Sequence, residues 1–206
     1  GANVLTSMIA QISQAAGAND LAAKVSAAVG DIDSAAQSFK LWEISRLVRA
    51  SPEITVAFEQ GVDGLLARLR ASGEQAAKEF LSAWDGFIER WGFTGPSVWE
   101  FRSPTYRSQP EIVLRMLDRA RQAPDAASPK VRSAQRAAER EAAVAEIVRR
   151  LAGNAEMLGR FTAAAHLVGA YLAARERGKI HCTLLIDEAR AAVRALGQRL
   201  VRRGLL

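Results

Sequence analysis

Apolar residues recur at every third or fourth position along most of this chain, and no segment alternates apolar and polar residues with a period of two. The first pattern is typical of amphipathic helices, whereas strict alternation would indicate half-buried strands. The clearest helical stripe is formed by Ala77, Phe80, Leu81, Trp84, Phe87, Ile88 and Trp91. The sequence therefore predicts an all-α protein, with residues 1–206 forming a single helical domain of about eight to nine helices.

Several short motifs predict where helices begin and end. Helix starts are predicted by a Ser-Pro pair and by two capping boxes, namely Ser51-Pro52, Ser72 with Gln75, and Ser108 with Glu111. Gly61 and Gly64 predict an interruption between two helices, and Gly178 predicts a further break. The segment 122–129, which contains both Pro124 and Pro129, is the best linker and the candidate sub-boundary.

The stretch 91–106 loses the helical pattern and is rich in aromatic residues, glycine and proline. It holds two of the four tryptophans, two phenylalanines and one of the two tyrosines. Phe93, Trp99, Phe101 and Tyr106 do not share a helical spacing, so either a ligand or packing within the loop has to cover their rings. Because loops on a helical scaffold often carry binding sites, this aromatic loop is the first candidate for function, and a self-packed plug over the helix ends is the alternative.

Charge and apolar runs exclude two classes of partner. The chain has 28 Lys and Arg against 22 Asp and Glu, a net charge of +6, but the two signs alternate along its second half. Mixed charges are typical of solvated helix faces, and no nucleic-acid module accompanies them, so we expect no nucleic-acid partner. The longest apolar run, 163–174, is too short to span a membrane. Cys182 is the single cysteine, which excludes an internal disulfide and favours a cytoplasmic location.

The sequence contains no recognisable catalytic motif. A phosphate-binding glycine loop, a nucleophile elbow and paired histidines on one helical turn are all missing, so this chain alone is not predicted to be catalytic. His181 and Cys182 are adjacent and lack further ligands of suitable spacing, which predicts no metal site and a buried thiol. His166 lies in an apolar stripe and is expected in the core or lining a pocket, with a general base as the weak catalytic alternative.

Two motifs in the aromatic loop resemble a known family. Gly92, Gly95, Pro96, Trp99 and Glu100 are followed by Ser103-Pro104, Tyr106 and Pro110. Their order resembles the Gly-His-Arg-Gly-Pro stretch and the following Pro-aromatic segment of phosphoenolpyruvate synthase-like enzymes, in particular rifampin phosphotransferase. Further matching residues occur at 30–34, at Leu41-Trp42, at Arg175, Glu176 and Lys179, and at 196–205.

The resemblance implies a role in phosphoryl transfer. In that family an ATP-grasp domain loads phosphate onto a histidine of a swivelling domain, and a helical middle region binds the acceptor. This chain resembles the middle region, so the ATP-grasp and phosphohistidine domains are expected to be absent from it and to act as its partners. The acceptor would be a small hydrophobic compound with a hydroxyl group. No cofactor is expected on this chain, while ATP and magnesium are implied for the complete enzyme.

The same resemblance assigns candidate substrate-binding residues. They are Phe93, Trp99, Glu100, Phe101, Arg102, Tyr106, Arg175, Glu176 and Lys179, with the aromatic rings lining an apolar pocket and the cations stabilising the phosphoryl group. Phe93-Thr94 stands where many relatives have His-Arg, and Val98 where an acidic residue is common. These departures favour a binding loop over a catalytic one. The alternative is a non-catalytic helical domain whose loop docks a partner protein.

Overall fold

The computed structural model describes residues 1–27 and 33–206. Within those residues it contains nine α-helices, two short 3-10 helices and no β-strand, which confirms the predicted all-α fold and helix number. The α-helices are α1 (Ala2–Ala15), α2 (Ala22–Val25), α3 (Asp33–Ala50), α4 (Pro52–Glu59), α5 (Leu65–Ser72), α6 (Gln75–Trp91), α7 (Glu111–Gln122), α8 (Pro129–Arg150) and α9 (Ala155–Arg202). The 3-10 helices are Asn19–Leu21 and Asp125–Ala127. Residues 30–32 of the resemblance motif lie outside the described residues.

The chain divides into two compact units. The first comprises residues 1–36 and 125–178, and the second comprises residues 37–124 and 179–206. α3 and α9 each contribute residues to both units. The change of unit between Pro124 and Asp125 falls inside the segment 122–129 that the prolines mark in the sequence. A single domain over 1–206 stays a prediction.

The first unit has its own apolar core. Its buried side chains include Ile9, Ile12, Val25, Ile147, Phe161 and Val168. Arg140 on α8 is half-buried and donates hydrogen bonds from Nε to the carbonyl oxygen of Val25 at 2.9 Å and from Nη2 to that of Ala165 at 3.1 Å. The Val25 carbonyl lies at the end of α2, where no helical N–H remains to pair with it. Arg140 therefore joins the end of α2 to α9.

The second unit is built around α6. The predicted stripe of this helix is confirmed, because Ala77, Phe80, Trp84 and Phe87 are all buried. The ring of Phe80 packs edge to face on Phe58 at a centroid distance of 5.8 Å, and it stacks on Trp84 at 6.4 Å. Burying a large apolar side chain contributes roughly 1.5–3 kcal/mol, so this stripe fixes α6 firmly against its neighbours. The aromatic loop follows directly from the end of this helix.

The predicted helix starts have mixed outcomes. Ser51 caps α4 as predicted, since its hydroxyl accepts a hydrogen bond from the backbone N–H of Ile54 at 3.3 Å. The capping role of Ser72 is wrong: Ser72 is the last residue of α5, and Gly73 ends that helix in a left-handed conformation with φ +68°. Ser108 forms no capping box either. Its hydroxyl bonds to the backbone of Thr105 instead.

Two predictions on α9 are also wrong. Gly178 does not break this helix, which continues for 48 residues. A glycine inside a helix costs only about 1 kcal/mol relative to alanine, and the surrounding Ala, Leu, Arg and Glu residues favour the helix enough to offset that cost. Cys182 is exposed instead of buried, because the uninterrupted helix turns that position towards solvent.

Candidate functional site

The aromatic loop between α6 and α7 is closed at its base by main-chain hydrogen bonds. The N–H of Tyr106 donates to the carbonyl oxygen of Thr94 at 2.8 Å, and the N–H of Arg107 donates to that of Gly92 at 2.9 Å. We call residues 92–95 and 104–107 the neck of the loop. A side chain at Gly95 would meet the carbonyl oxygen of Pro104 at less than 3.0 Å, so only glycine fits there.

The neck buries two of the four loop aromatics. Phe93 is 6% exposed, and Tyr106 is 9% exposed and belongs to the core of the second unit. The Tyr106 ring stacks on Phe87 of α6 at a centroid distance of 6.4 Å. Burial raises the pKa of the Tyr106 hydroxyl, and a hydrogen bond with the Gln37 side chain opposes that rise. Both rings are covered by the protein itself, and the Tyr106 ring fixes the neck to α6.

The far end of the loop has the opposite character. Residues 97–101, which we call the tip, carry Trp99 and Phe101 with 58% and 49% of their surfaces exposed. The backbone there is folded into tight turns, because the N–H of Glu100 donates to Ser97 and the N–H of Ser103 donates to Glu100, both at 3.1 Å. The tip therefore presents two aromatic side chains to solvent from an ordered backbone.

Charged candidates also lie at or beside the tip. The Glu100 carboxylate accepts a hydrogen bond from the backbone N–H of Arg102 at 3.0 Å, which tightens the turn. The Arg102 side chain is exposed and directly follows Phe101. The structure thus keeps Trp99, Glu100, Phe101 and Arg102 together in one short segment. Of the predicted site residues in the loop, these four are the exposed ones.

The remaining candidates lie on α9. Arg175 and Glu176 belong to the first unit and form an ion pair with each other at 3.0 Å. Lys179 belongs to the second unit and is exposed, and its carbonyl oxygen accepts a hydrogen bond from the Thr183 hydroxyl at 2.8 Å. Their substrate-binding roles stay predictions.

His166, the weak catalytic candidate, lines an open groove of about 330 Å³ in the first unit. Arg140 and Glu141 also line this groove. Its apolar lining comes from α8 and α9 and consists of Val144, Ala145, Val148 and Ala165. The Thr162 hydroxyl in this groove donates to the carbonyl oxygen of Leu158, one turn earlier in the same helix. His166 was expected in the core or lining a pocket; it is exposed and lines this groove, and its general-base role stays a prediction.

One residue that holds the loop was missed in the sequence. Arg190 on α9 is only 2% exposed, and its Nη2 donates hydrogen bonds to the carbonyl oxygens of Ser97, Val98 and Glu100. Asp187, one turn earlier, pairs with Arg107 of the neck at 3.6 Å. The sequence signal that could have identified Arg190 is its spacing from Thr183 and Asp187, which puts the three residues on one face of α9. A polar face of a helix ordinarily predicts exposure to solvent, so this signal does not predict burial.

The described part of the chain contains no group of three or more His, Cys, Asp or Glu side chains placed to hold a metal ion. No helix within residues 1–27 and 33–206 combines the length and apolar character that crossing a membrane requires.

Comparison with known proteins places the chain in a family. Residues 1–176 match the family model described as the rifampicin phosphotransferase fourth domain. No curated protein matches the chain significantly. The match covers most of the 206 residues and includes the whole aromatic loop. It agrees with the all-helical fold and with the resemblance carried by the loop motifs. The chain therefore belongs to the rifampicin phosphotransferase fourth-domain family.

Proposed function

We propose that this chain is the acceptor-binding part of a phosphotransferase related to rifampicin phosphotransferase, and that its acceptor is a hydrophobic compound with a hydroxyl group. The observation that carries the proposal is the exposure of Trp99 and Phe101 on a loop whose neck is buried and hydrogen-bonded. Exposed aromatic rings of this size are costly in water unless something covers them. An apolar acceptor is a suitable cover.

The ordered tip favours binding for a second reason. A loop that already has its bound conformation loses little entropy when a ligand docks, and aromatic rings offer large contact areas with few rotatable bonds. Phe93 and Tyr106 then act as supports beneath the site, because they are buried and do not reach an external ligand. Trp99 and Phe101 provide the contact surface.

The acceptor hydroxyl has to meet a phosphoryl group, whose negative charge calls for a cation nearby. Arg102 is exposed and directly follows the aromatic tip, so it is the first candidate for that role. Lys179 on α9 is a further candidate, because it is exposed and belongs to the same unit as the loop. Glu100 supports the turn by accepting from the backbone N–H of Arg102, while the roles of Arg175 and Glu176, which pair with each other, stay as the resemblance implies them. In this proposal phosphate comes from a phosphohistidine on a partner domain or subunit. ATP and magnesium act there, and no residue of this chain is assigned to them.

Calorimetric titration with a panel of hydrophobic alcohols and phenols tests the proposal. We expect at least one compound to bind saturably, and Trp99→Ala and Phe101→Ala each to weaken that binding about tenfold or more, as buried aromatic contacts at binding sites usually do. Val56→Ala is the control, since Val56 is equally exposed but lies on α4. Absence of saturable binding for every compound, with wild type and Trp99→Ala equally inert, would reject the proposal.

A second candidate function is a non-catalytic interaction domain. The observation that favours it is the exposure of Leu185, Val193 and Leu196 on the last part of α9. Mixing the chain with separately prepared ATP-grasp and phosphohistidine proteins distinguishes the two functions. Phosphate transfer to a small molecule only when this chain is present supports acceptor binding. Formation of a stable complex without transfer supports the interaction domain.

A further inference from the structure

One face of the last part of α9 carries polar side chains that are buried, although several apolar side chains of the same segment are exposed. Thr183 and Arg190 are each 2% exposed, and the Asp187 side chain between them is 12% exposed. Leu185, by contrast, is 72% exposed. Positions separated by four and three residues share one face of a helix, so the three polar residues form a single buried stripe. This stripe contacts the aromatic loop through Asp187 and Arg190.

Arg190 makes the more unusual of these contacts. Its Nη2 lies 3.2 Å from the carbonyl oxygen of Ser97 and 3.0 Å from that of Val98, and it also donates to the carbonyl oxygen of Glu100. The three oxygens belong to the turn that carries Trp99. The Nε of Arg190 is buried and has no hydrogen-bond partner among the described residues.

Electrostatics explain why this contact bears on the shape of the tip. Three carbonyl oxygens that converge on one point repel each other, and a cation between them removes that repulsion. A buried guanidinium is itself costly unless its donors are hydrogen-bonded, and here all the acceptors come from the loop. The cation and the turn therefore stabilise each other, and neither is expected to keep this geometry alone.

We propose that Arg190 is a positioning residue, which holds the tip in the conformation that exposes Trp99 and Phe101 and thereby sets the affinity for the acceptor. Its effect on affinity rests on the proposed function above, whereas its effect on the loop does not. Arg190 lies beyond residues 1–176, the part of the chain that matches the family model. The assignment depends only on the contacts described here.

Limited proteolysis with trypsin tests the effect on the loop. Arg102 is exposed and directly follows the tip, so cleavage after it reports how often the tip opens. We expect Arg190→Gln to speed this cleavage about tenfold, the ratio that corresponds to losing a charge-assisted hydrogen bond. Arg194→Gln is the matched control, because Arg194 is exposed on the same helix. Far-UV circular dichroism checks that each variant keeps its helices.

Arg190→Lys keeps the buried positive charge and one donor group, and its cleavage rate should lie between those of wild type and Arg190→Gln. If Arg190→Gln does not fold, the cleavage rate of Arg190→Lys tests the proposal. The proposal would be overturned if every folded variant at position 190 were cleaved at the same rate as the wild type.

Calorimetric titration of an acceptor that binds the wild type tests the effect on affinity. Arg190→Gln should weaken binding about tenfold, in parallel with the faster cleavage. In a reconstituted transfer reaction, the change should appear in KM for the acceptor, with kcat retained. Faster cleavage with no acceptor bound by any variant, wild type included, keeps the effect on the loop and rejects the proposed function. Faster cleavage with unchanged affinity overturns the positioning role in binding.

Discussion

Gly95 and Pro104 approach each other so closely across the neck of the aromatic loop that a Cβ at Gly95 would overlap the Pro104 carbonyl oxygen. This contact brings the two ends of the loop together beside the hydrogen bond from Tyr106 to Thr94. Gly95, the second glycine of the loop motif, is therefore required because no side chain fits beside Pro104, and not because of its backbone angles.

Replacing Gly95 by alanine should therefore disrupt the neck. The obstructing atom is a backbone oxygen, which cannot rotate away, so we expect Gly95→Ala to lower the free energy of unfolding by about 1–3 kcal/mol, as overpacking does. Urea unfolding followed by circular dichroism measures this change. Gly86→Ala is the control: Gly86 lies inside α6 with open space around it, and alanine there should raise stability by about 0.5–1 kcal/mol. Equal effects of the two substitutions would contradict the steric explanation.

Tyr106 should make stability depend on alkaline pH. Burial raises the pKa of this hydroxyl above its ordinary value of 10.0, so the folded state holds the proton more tightly than the unfolded state. The resulting stabilisation is complete below pH 10 and is lost as pH rises through the higher pKa of the folded protein. Urea unfolding between about pH 8 and pH 11 should show a steeper loss for wild type than for Tyr106→Phe. Tyr171→Phe, at an exposed tyrosine, should follow wild type.

The two serines that resemble helix caps should respond differently to substitution. Ser51→Ala removes the acceptor for the Ile54 N–H and should cost about 1 kcal/mol. The Ser72 hydroxyl donates to the carbonyl oxygen of Leu69 at the end of α5, so Ser72→Ala should change stability by only about 0.5 kcal/mol or less. Urea unfolding of both variants provides the comparison. A larger loss for Ser72→Ala would restore the capping role that the structure rejects.

Glu146 on α8 should titrate far below an ordinary glutamate. Hydrogen bonds from Arg149 and then Arg150 lower the pKa of its carboxyl group from 4.5 to about 2. Its stabilising contribution is therefore present above pH 4.5 and is lost as pH falls through about 2. Carbon-detected NMR titration of the side chain measures the midpoint, which Arg149→Gln should raise. A wild-type midpoint near 4.5 would show that these ion pairs do not persist in solution.

The helices were largely predictable because their signals are local. The stripe that buries Phe80 and Trp84 repeats every three or four residues, and Ser51-Pro52 marks a start with two independent preferences. The break predicted at Gly178 is absent for a physical reason. The preference of glycine against helix is small, and a run of strong helix formers on both sides outweighs it.

The site was only partly predictable because burial in the loop depends on distant elements. Phe93 and Trp99 are both aromatic residues of one loop, yet Phe93 lies in the neck beside α6 and Trp99 lies on the exposed tip. Sequence spacing does not distinguish them. Arg190 is some ninety positions from the carbonyl oxygens that it contacts, and α9 carries many other arginines with the same local surroundings.

Arg190 contacts the tip only through main-chain oxygens, and this has a consequence for how the site can diversify. Every residue type supplies the same carbonyl group, so exchanging the side chain at Ser97 or Val98 leaves the acceptors of Arg190 in place, whereas the Glu100 carboxylate also tightens the turn. Ser97 is exposed and Val98 is half-buried, which leaves most room for larger or charged replacements at Ser97. The backbone of the tip can therefore stay fixed while its side chains change. Libraries randomised at these positions should retain the fold while sampling new ligand preferences.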